Sequence, residues 1–248
     1  MNEKKHWEKI APEYNAEIFD VYASDKFKRL SRYIRKHASL TKTAIDFGCG
    51  NGKSFPYLSP AFKTVLGLDI SKGLLKQAGA RNFKNVTLKT HDVTRKLRAP
   101  KADFAFCCNV VMFPDLHKNY LAFKNISAAL KPGGTALLVL PALESALFSS
   151  WRLIQLYGRE GVKPRNIPAH EFHYFKGPMY DILQGIVHID KVPTKHYTAA
   201  ELDVIMPQAG FTITKLEKLE YDWNTEFANP PKNLKAPYPW DWLVEVRV

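Results

Sequence analysis

The chain has 248 residues, of which 46% are hydrophobic and 24% charged. That is enough apolar material for one large α/β domain, or a domain with a cap, and it excludes a disordered chain. Lys and Arg exceed Asp and Glu by 36 − 24 = 12, so the surface favours anionic partners without choosing among nucleic acid, lipid headgroups and acidic small molecules.

The opening MNEKKHWEKI is charged and has no apolar run, so no signal peptide is expected. The apolar stretch 136–143 contains Pro141 and stops at Glu144, too short to cross a bilayer. Cys49, Cys107 and Cys108 form an odd set with two adjacent members, which suits a reducing compartment, and a cytoplasmic location is expected.

Residues 1–20 read as helix with a break near Pro12. In SDKFKRLSRYIRKHA, 24–38, Ser24 suits an N-cap, and Phe27, Leu30, Ile34 and Ala38 share one helical face. Lys26, Lys28, Arg29, Arg32, Arg35 and Lys36 cover the rest, either as a solvated face or as a surface for an anionic partner. Strand and helix then alternate over 42–140. KTAIDF is a strand, followed by a glycine loop and a helix from about Lys53. TVLGLDI is the second strand, and Ser71 caps the helix of SKGLLKQAGA. NVTLKTHDV is the third. ADFAFCCNVV is the fourth, nearly continuous in apolar residues as a strand buried on both faces requires. HKNYLAFKNISAALK is a helix stopped by Pro132-Gly133-Gly134, and TALLVLPAL is the fifth strand.

From Glu144 the rhythm changes. SALFSSWRLIQLYGR is a helix, 160–180 is irregular, and YDILQGIVHIDKV contains a strand. Thr198 and Glu201 form a capping box for TAAELDVIMPQAG. FTITKLEKLEY and WLVEVRV alternate as strands, joined by the Pro-rich NPPKNLKAPYPW. The expected fold is α/β: a Rossmann-like, seven-stranded, mostly parallel sheet with helices on both faces, plus N-terminal helices and a cap insertion after the fifth strand. The expected layout is a single domain over 1–248, with N-terminal helices 1–40, a core 41–143, a cap 144–197 and the end of the sheet at 198–248.

The glycine loop AIDFGCGNGKS carries the chemistry. Gly52-Lys53-Ser54 imitates the close of a phosphate-binding loop, but that loop needs its first glycine at 47, where Phe47 stands. The dinucleotide fingerprint also fails, because Gly48, Gly50 and Gly52 put the third glycine one residue early. S-adenosylmethionine (SAM) has no phosphate. Its ribose hydroxyls suit a carboxylate at the end of the second strand, Asp69. Asp92, ending the third, can accept from the adenine amine, and Asp46 can offset the ligand's ammonium. Glycines at 48, 50 and 52 let the backbone approach.

AIDFGCGNG, VLGLDIS, THDV, ADFAFCCNVVMF and ALKPGGTALLVLP, in that order, resemble the class I SAM-dependent methyltransferases over 40–143, and HYTAAELDVIMPQAGF resembles the family's late helix. The details are most similar to small-molecule enzymes of the ubiquinone/menaquinone-biosynthesis type. The resemblance implies a methyl transfer that leaves S-adenosylhomocysteine (SAH). It implies that Gly48, Cys49 and Gly50 line the methionine and ribose side, that Asp69 holds the ribose, and that Ile70 packs on adenine. Asp92 and Val93 would meet the adenine edge, Asn109 and Val110 the methionine portion, and Tyr14 would fold over the cofactor.

The expected acceptor is a small molecule, anionic or aromatic, methylated on oxygen or carbon. The cap carries His170, Glu171, His173, Tyr174, Tyr180, His188 and His196, and His170 and His173 are the candidate bases, since histidine titrates near neutral pH. Two alternatives stay open: a nucleic-acid methyltransferase docking through the basic helix, and a SAM-binding module without catalysis. NPPK at 229–232 is misplaced for a base-methylating motif, Cys108 lacks the Pro-Cys of a cytosine-attacking site, and HEFH at 170–173 misses the zinc-protease spacing, so no metal is expected.

Overall fold

A computed structural model describes residues 3–175, 177–189 and 192–248, apart from the side chains of His173 and Tyr174. The chain opens with α1 (Glu3–Ile10), α2 (Tyr14–Glu17), α3 (Val21–Ser24) and α4 (Arg29–His37). The alternating core follows: β1 (Ser39–Phe47), α5 (Phe55–Leu58), β2 (Phe62–Asp69), α6 (Lys72–Ala80), β3 (Val86–Thr90), β4 (Ala102–Cys108), α7 (Leu116–Ala128) and β5 (Leu130–Pro141). After it come α8 (Leu143–Arg159), α9 (Met179–Leu183), the hairpin β6 (Ile186–Ile189) and β7 (Val192–Lys195), α10 (Ala199–Gln208), β8 (Thr212–Glu220) and β9 (Trp240–Arg247).

Seven strands form one sheet in the order β3-β2-β1-β4-β5-β9-β8. Strands β1 to β5 pair in parallel, while β9 runs antiparallel to both of its neighbours. The expected Rossmann-like sheet is therefore present. Its central strand β4 is continuously apolar because Phe104, Ala105, Phe106 and Cys107 are buried on both faces. On one side Phe123 and Ile126 of α7 and Leu202 and Met206 of α10 pack on it; on the other lie Leu30 and Ile34 of α4. The reversed β9 has a functional consequence. Pairing Pro141 with Asp241 brings the start of β9 to the carboxyl ends of the parallel strands, where open α/β sheets place ligands.

Ser71 and Thr198 cap α6 and α10 as expected, accepting from the amides of Leu74 and Glu201. Pro132-Gly133-Gly134 lie inside β5 rather than before it. Helix α7 has already ended, and Gly133 at φ +76° takes up a register shift against β4. The basic helix also starts later than its periodicity suggests. Ser24 ends α3, Lys28 is left-handed at φ 55°, and the Asp25 carboxylate accepts from the Leu30 amide. Phe27 thus falls outside the helical phase and is exposed.

Most of the cations of α4 are engaged by the chain itself. Arg29 pairs with Glu220 at 2.7 Å, Arg32 lies 3.7 Å from Glu217, and Lys36 and His37 bond Glu245 at 2.9 and 2.8 Å. This helix is clamped onto β8 and β9, which weakens the case for it as a nucleic-acid dock. No helix among the described residues is long and apolar enough to cross a membrane.

Candidate functional site

A cavity of about 1010 Å³ opens at the carboxyl ends of β1 to β4 and continues to the start of β9. One wall is α1 and α2, another the hairpin β6–β7. Tyr14, Gly48, Cys49, Asp69 and Ile70 line it, and so do Asp92, Val93, Asn109 and Val110. Asp46, Gly50 and Gly52 stand behind this lining.

Asp69 sits at the junction. Its carboxylate is buried and accepts from the amides of Gly50 at 2.9 Å and Ser71 at 2.8 Å. Burial raises its pKa while these amides lower it. Two backbone donors fix the carboxylate, and an ionised carboxylate has about four lone-pair sites. The remaining ones face a cavity wide enough for a vicinal diol.

The glycines have distinct reasons. A Cβ on Gly50 would lie 2.6 Å from the Tyr14 hydroxyl, so the tyrosine closes over the loop only because Gly50 has none. Gly48, at φ +71°, would place a Cβ 2.2 Å from Val110 Cγ2. Gly48→Ala is expected to destabilise the fold by about 2 kcal/mol through overpacking and left-handed strain. Val110→Ala in the same background removes the clash and leaves the backbone cost, so chemical denaturation of the two variants separates the terms. Equal stability of Gly48→Ala and wild type would refute this.

The misleading Lys53-Ser54 pair has other employment. Ser54 donates its hydroxyl to the buried Asp46 carboxyl, and Lys53 pairs with Asp20 at 2.9 Å. Helix α5 begins only at Phe55. Asp92 holds its own turn, accepting from the Thr94 amide and hydroxyl at 2.9 and 2.7 Å. Beside it His91 lines the cavity with a buried, unpartnered Nε2, and burial lowers its pKa.

Helix α1 is held in place by a residue that periodicity does not reveal. Glu8 accepts from the amides of Lys72 at 2.8 Å and Gly73 at 3.1 Å, capping α6 from a different helix. Those hydrogen bonds, the Lys72 amide first, hold its pKa below the ordinary value. The only sequence signal is an acidic residue that could meet a helix N-terminus far along the chain.

The far end of the cavity is built by β9 and the segment before it. Tyr221 and Asn109 both donate to Asp241 Oδ2, at 2.7 and 2.9 Å. Burial raises the pKa of Asp241 and pushes Glu226 up to about 6, with Asp241's charge adding to the latter. Asp241, Glu226, Tyr221 and Trp240 all line the cavity. None was marked as a site residue by motif or spacing.

Four lining residues carry a buried polar atom without a partner: Asn51 Oδ1 and His91 Nε2 near the glycine loop and β3, Asn109 Oδ1 and Trp240 Nε1 near β9. Orphaned buried groups are uncommon and ask for a ligand or water. Together with the Asp69 carboxylate they fit a polar nucleoside at one end and a second, polar molecule at the other.

The cap histidines divide. His196 lines the cavity; burial pushes its pKa down to about 4, and its Nδ1 lies 3.0 Å from the Thr194 carbonyl, so Nδ1 carries the proton of a neutral ring. His170 is exposed, sits beside Glu171 and does not line the cavity. The His173 side chain lies outside the described residues. Tyr180 is exposed on α9.

Residues 45–138 match the family described as a methyltransferase domain. A putative methyltransferase of Invertebrate iridescent virus 6 is 31% identical over 108 residues, covering 42% of this chain and 39% of that protein. Trans-aconitate 2-methyltransferase of Deinococcus radiodurans is 30% identical over 100 residues, 40% of this chain and 37% of the relative. The matched region thus spans about two fifths of the length of these curated relatives. A solved S-adenosylmethionine-dependent methyltransferase from Mesorhizobium loti shares the fold, with a TM-score of 0.61 at 18% identity, over 92% of this chain and 100% of that one.

Proposed function

We propose that this chain, whose residues 45–138 match a methyltransferase-domain family, is a class I S-adenosylmethionine-dependent methyltransferase that binds SAM and transfers its methyl group to a small molecule. The observation that carries the reading is Asp69, a buried carboxylate fixed by the Gly50 and Ser71 amides at the end of β2, with acceptor capacity left toward the cavity. SAM supplies an electrophilic methyl on a cationic sulfur, already activated for in-line displacement.

The chain's own task is then to bind, align and exclude water. Asp69 would take the ribose hydroxyls, and the glycine loop would lie along the methionine portion. Ile70 would pack on the adenine, with Asp92 and Val93 at its edge. Asn109 and Val110 would approach the methionine end, and Tyr14 would cover it. Asp46, behind the loop, would act through its charge rather than by contact. The segment 144–197 serves as the acceptor cap, through Val187, Ile189, Val192 and His196 of its hairpin region. A base for an acceptor that must lose a proton has to come from groups lining the cavity, and His170 is not among them.

A cavity of about 1010 Å³ that must hold a nucleoside leaves room for a small acceptor. Arg29, Arg32 and Lys36 of α4 already have carboxylate partners, which disfavours that helix as a nucleic-acid dock. Titration calorimetry tests the reading: SAM and SAH bind and ATP does not. Binding of ATP with neither adenosyl compound would overturn it.

A further inference from the structure

The end of the cavity away from the glycine loop is unusually acidic for a chain with 36 basic and 24 acidic residues. Its floor holds Asp241 and Glu226, close enough that the charge of one raises the pKa of the other. Lys9, Lys53 and Lys118 also line the cavity, but they come from α1, the glycine loop and α7. Lys53 is paired with Asp20.

The hydrogen-bond geometry decides what this end is built to receive. Both donors to Asp241, the Tyr221 hydroxyl and the Asn109 amide nitrogen, fall on Oδ2. Among the described residues no hydrogen bond reaches Oδ1. Because a carboxylate only accepts, it fixes the orientation of the Asn109 amide. Nδ2 turns to Asp241, and Oδ1 is left buried without a partner. Asn109 is held in this pose by a left-handed backbone, φ 51°, immediately after β4. The site therefore offers Asp241 Oδ1, Asn109 Oδ1 and the Glu226 carboxylate as acceptors. Among the described residues lining this end, the orphaned donor is Trp240 Nε1. An ammonium has three donors and no acceptor, which complements this set; a carboxylate or phosphate does not. A cation also offsets the cost of half-burying Asp241 and Glu226 as charges.

We propose that the methyl acceptor is an amine, bound as its ammonium by Asp241, Asn109 and Glu226, and that Asp241 takes the proton that frees the nitrogen lone pair. The proposal rests on the methyl-transfer reading and replaces the anionic acceptor expected from the net charge, which would meet two half-buried carboxylates here. The balance is simple. An N–H bond breaks and its proton goes to Asp241, leaving a neutral amine. The nitrogen lone pair forms the N–CH3 bond while the sulfonium C–S bond breaks and its electron pair stays on sulfur. The product is an N-methylammonium and a neutral thioether, and the proton on Asp241 leaves to solvent. Tyr221 is a positioning residue, and Asn109 both binds and positions: their donors hold Oδ2 so that Oδ1 faces the ligand.

The test uses three probes of one shape, phenethylamine, 2-phenylethanol and phenylacetate, titrated calorimetrically into the full chain with and without saturating SAH. The amine is expected to bind at least about tenfold tighter than the alcohol, the difference that charge-assisted hydrogen bonds supply, and the acid weakest. Asp241→Asn, nearly isosteric, removes the preference for the amine, and Glu226→Gln reduces it. Thermal melts establish that each variant is folded, and Glu226→Gln serves where Asp241→Asn is not. Equal or tighter binding of the alcohol or the acid overturns the proposal. So does a preference that survives in folded variants, or no binding of any probe at millimolar concentration. SAH binding is read separately. Failure to bind SAH with the amine preference intact sinks the methyl-transfer reading and leaves an amine-binding site. SAH binding without an amine preference does the reverse.

Discussion

Asp69→Ala is expected to weaken SAM binding by at least about a hundredfold, the loss of two charge-assisted hydrogen bonds worth about 1.5–3 kcal/mol each. The substitution acts twice. It removes the acceptor for the ribose hydroxyls, and it strips the Gly50 and Ser71 amides of the partner that fixes the loop against the β2 terminus. Asp69→Asn separates these effects. Its carboxamide oxygen still accepts from one amide, while its nitrogen turns a donor where the site supplies donors. The asparagine variant is therefore expected to lose affinity with the fold intact, and the alanine variant to lose affinity and some stability. Calorimetry with SAM and SAH measures the first quantity and denaturant melts the second. Wild-type affinity in both variants would remove Asp69 from the cofactor site and the main support for the proposed function with it.

The end of the cavity proposed for the cofactor was legible because its determinants are local. Strand, glycine loop, helix and strand-end carboxylate lie within residues 44–71, so spacing alone separates Gly48, Gly50 and Gly52 from a phosphate loop. The alternation of short apolar strands and helices gave the sheet for the same reason. The end proposed for the acceptor was not legible, because it is assembled by topology. Asn109 meets Asp241 across 132 residues only because β9 returns antiparallel beside β5. No pattern near Asp241, Glu226 or Tyr221 announces that return as a site.

Composition says little about the cavity for a related reason. The excess of Lys and Arg is spread over the outside and spent in part on α4, whereas the cavity floor is acidic. Net charge describes the surface, not the pocket. Nor could the cap's histidines be ranked from sequence. His170 and His196 lie in the same segment, but only the second is carried into the cavity, by a hairpin whose register depends on tertiary contacts such as the Tyr197 hydroxyl with the Val111 carbonyl at 2.9 Å. The late start of α4 is a similar case: a left-handed Lys28 breaks a periodicity that looked continuous.

Asp46 should make the stability of this protein fall as pH rises from about 4 to neutrality, against the usual behaviour of carboxylates. The side chain is buried behind the glycine loop with the Ser54 hydroxyl as its hydrogen-bond partner. Burial, reinforced by the negative charge of Asp69, pushes its pKa up from 3.8 to about 7. Between those values the unfolded chain has lost the proton and the native chain keeps it. Folding then binds a proton, and native stability declines by about 1.4 kcal/mol per pH unit across that window from this group alone. Above the native pKa the decline stops, and the folded chain carries a buried, ionised carboxylate. Asp46→Asn mimics the protonated form at every pH. It is expected to match the wild type near pH 4 and to exceed it in stability by a few kcal/mol at pH 8. Denaturant melts at four pH values check this, and parallel curves for the two proteins would refute it. The same charge gives the group its use. A cationic ligand beyond the loop favours the ionised form, so SAM binding should expel the proton and strengthen as pH rises from 6 to 8. Calorimetry in buffers of different ionisation enthalpy reads the released proton directly, and its absence in Asp46→Asn assigns it.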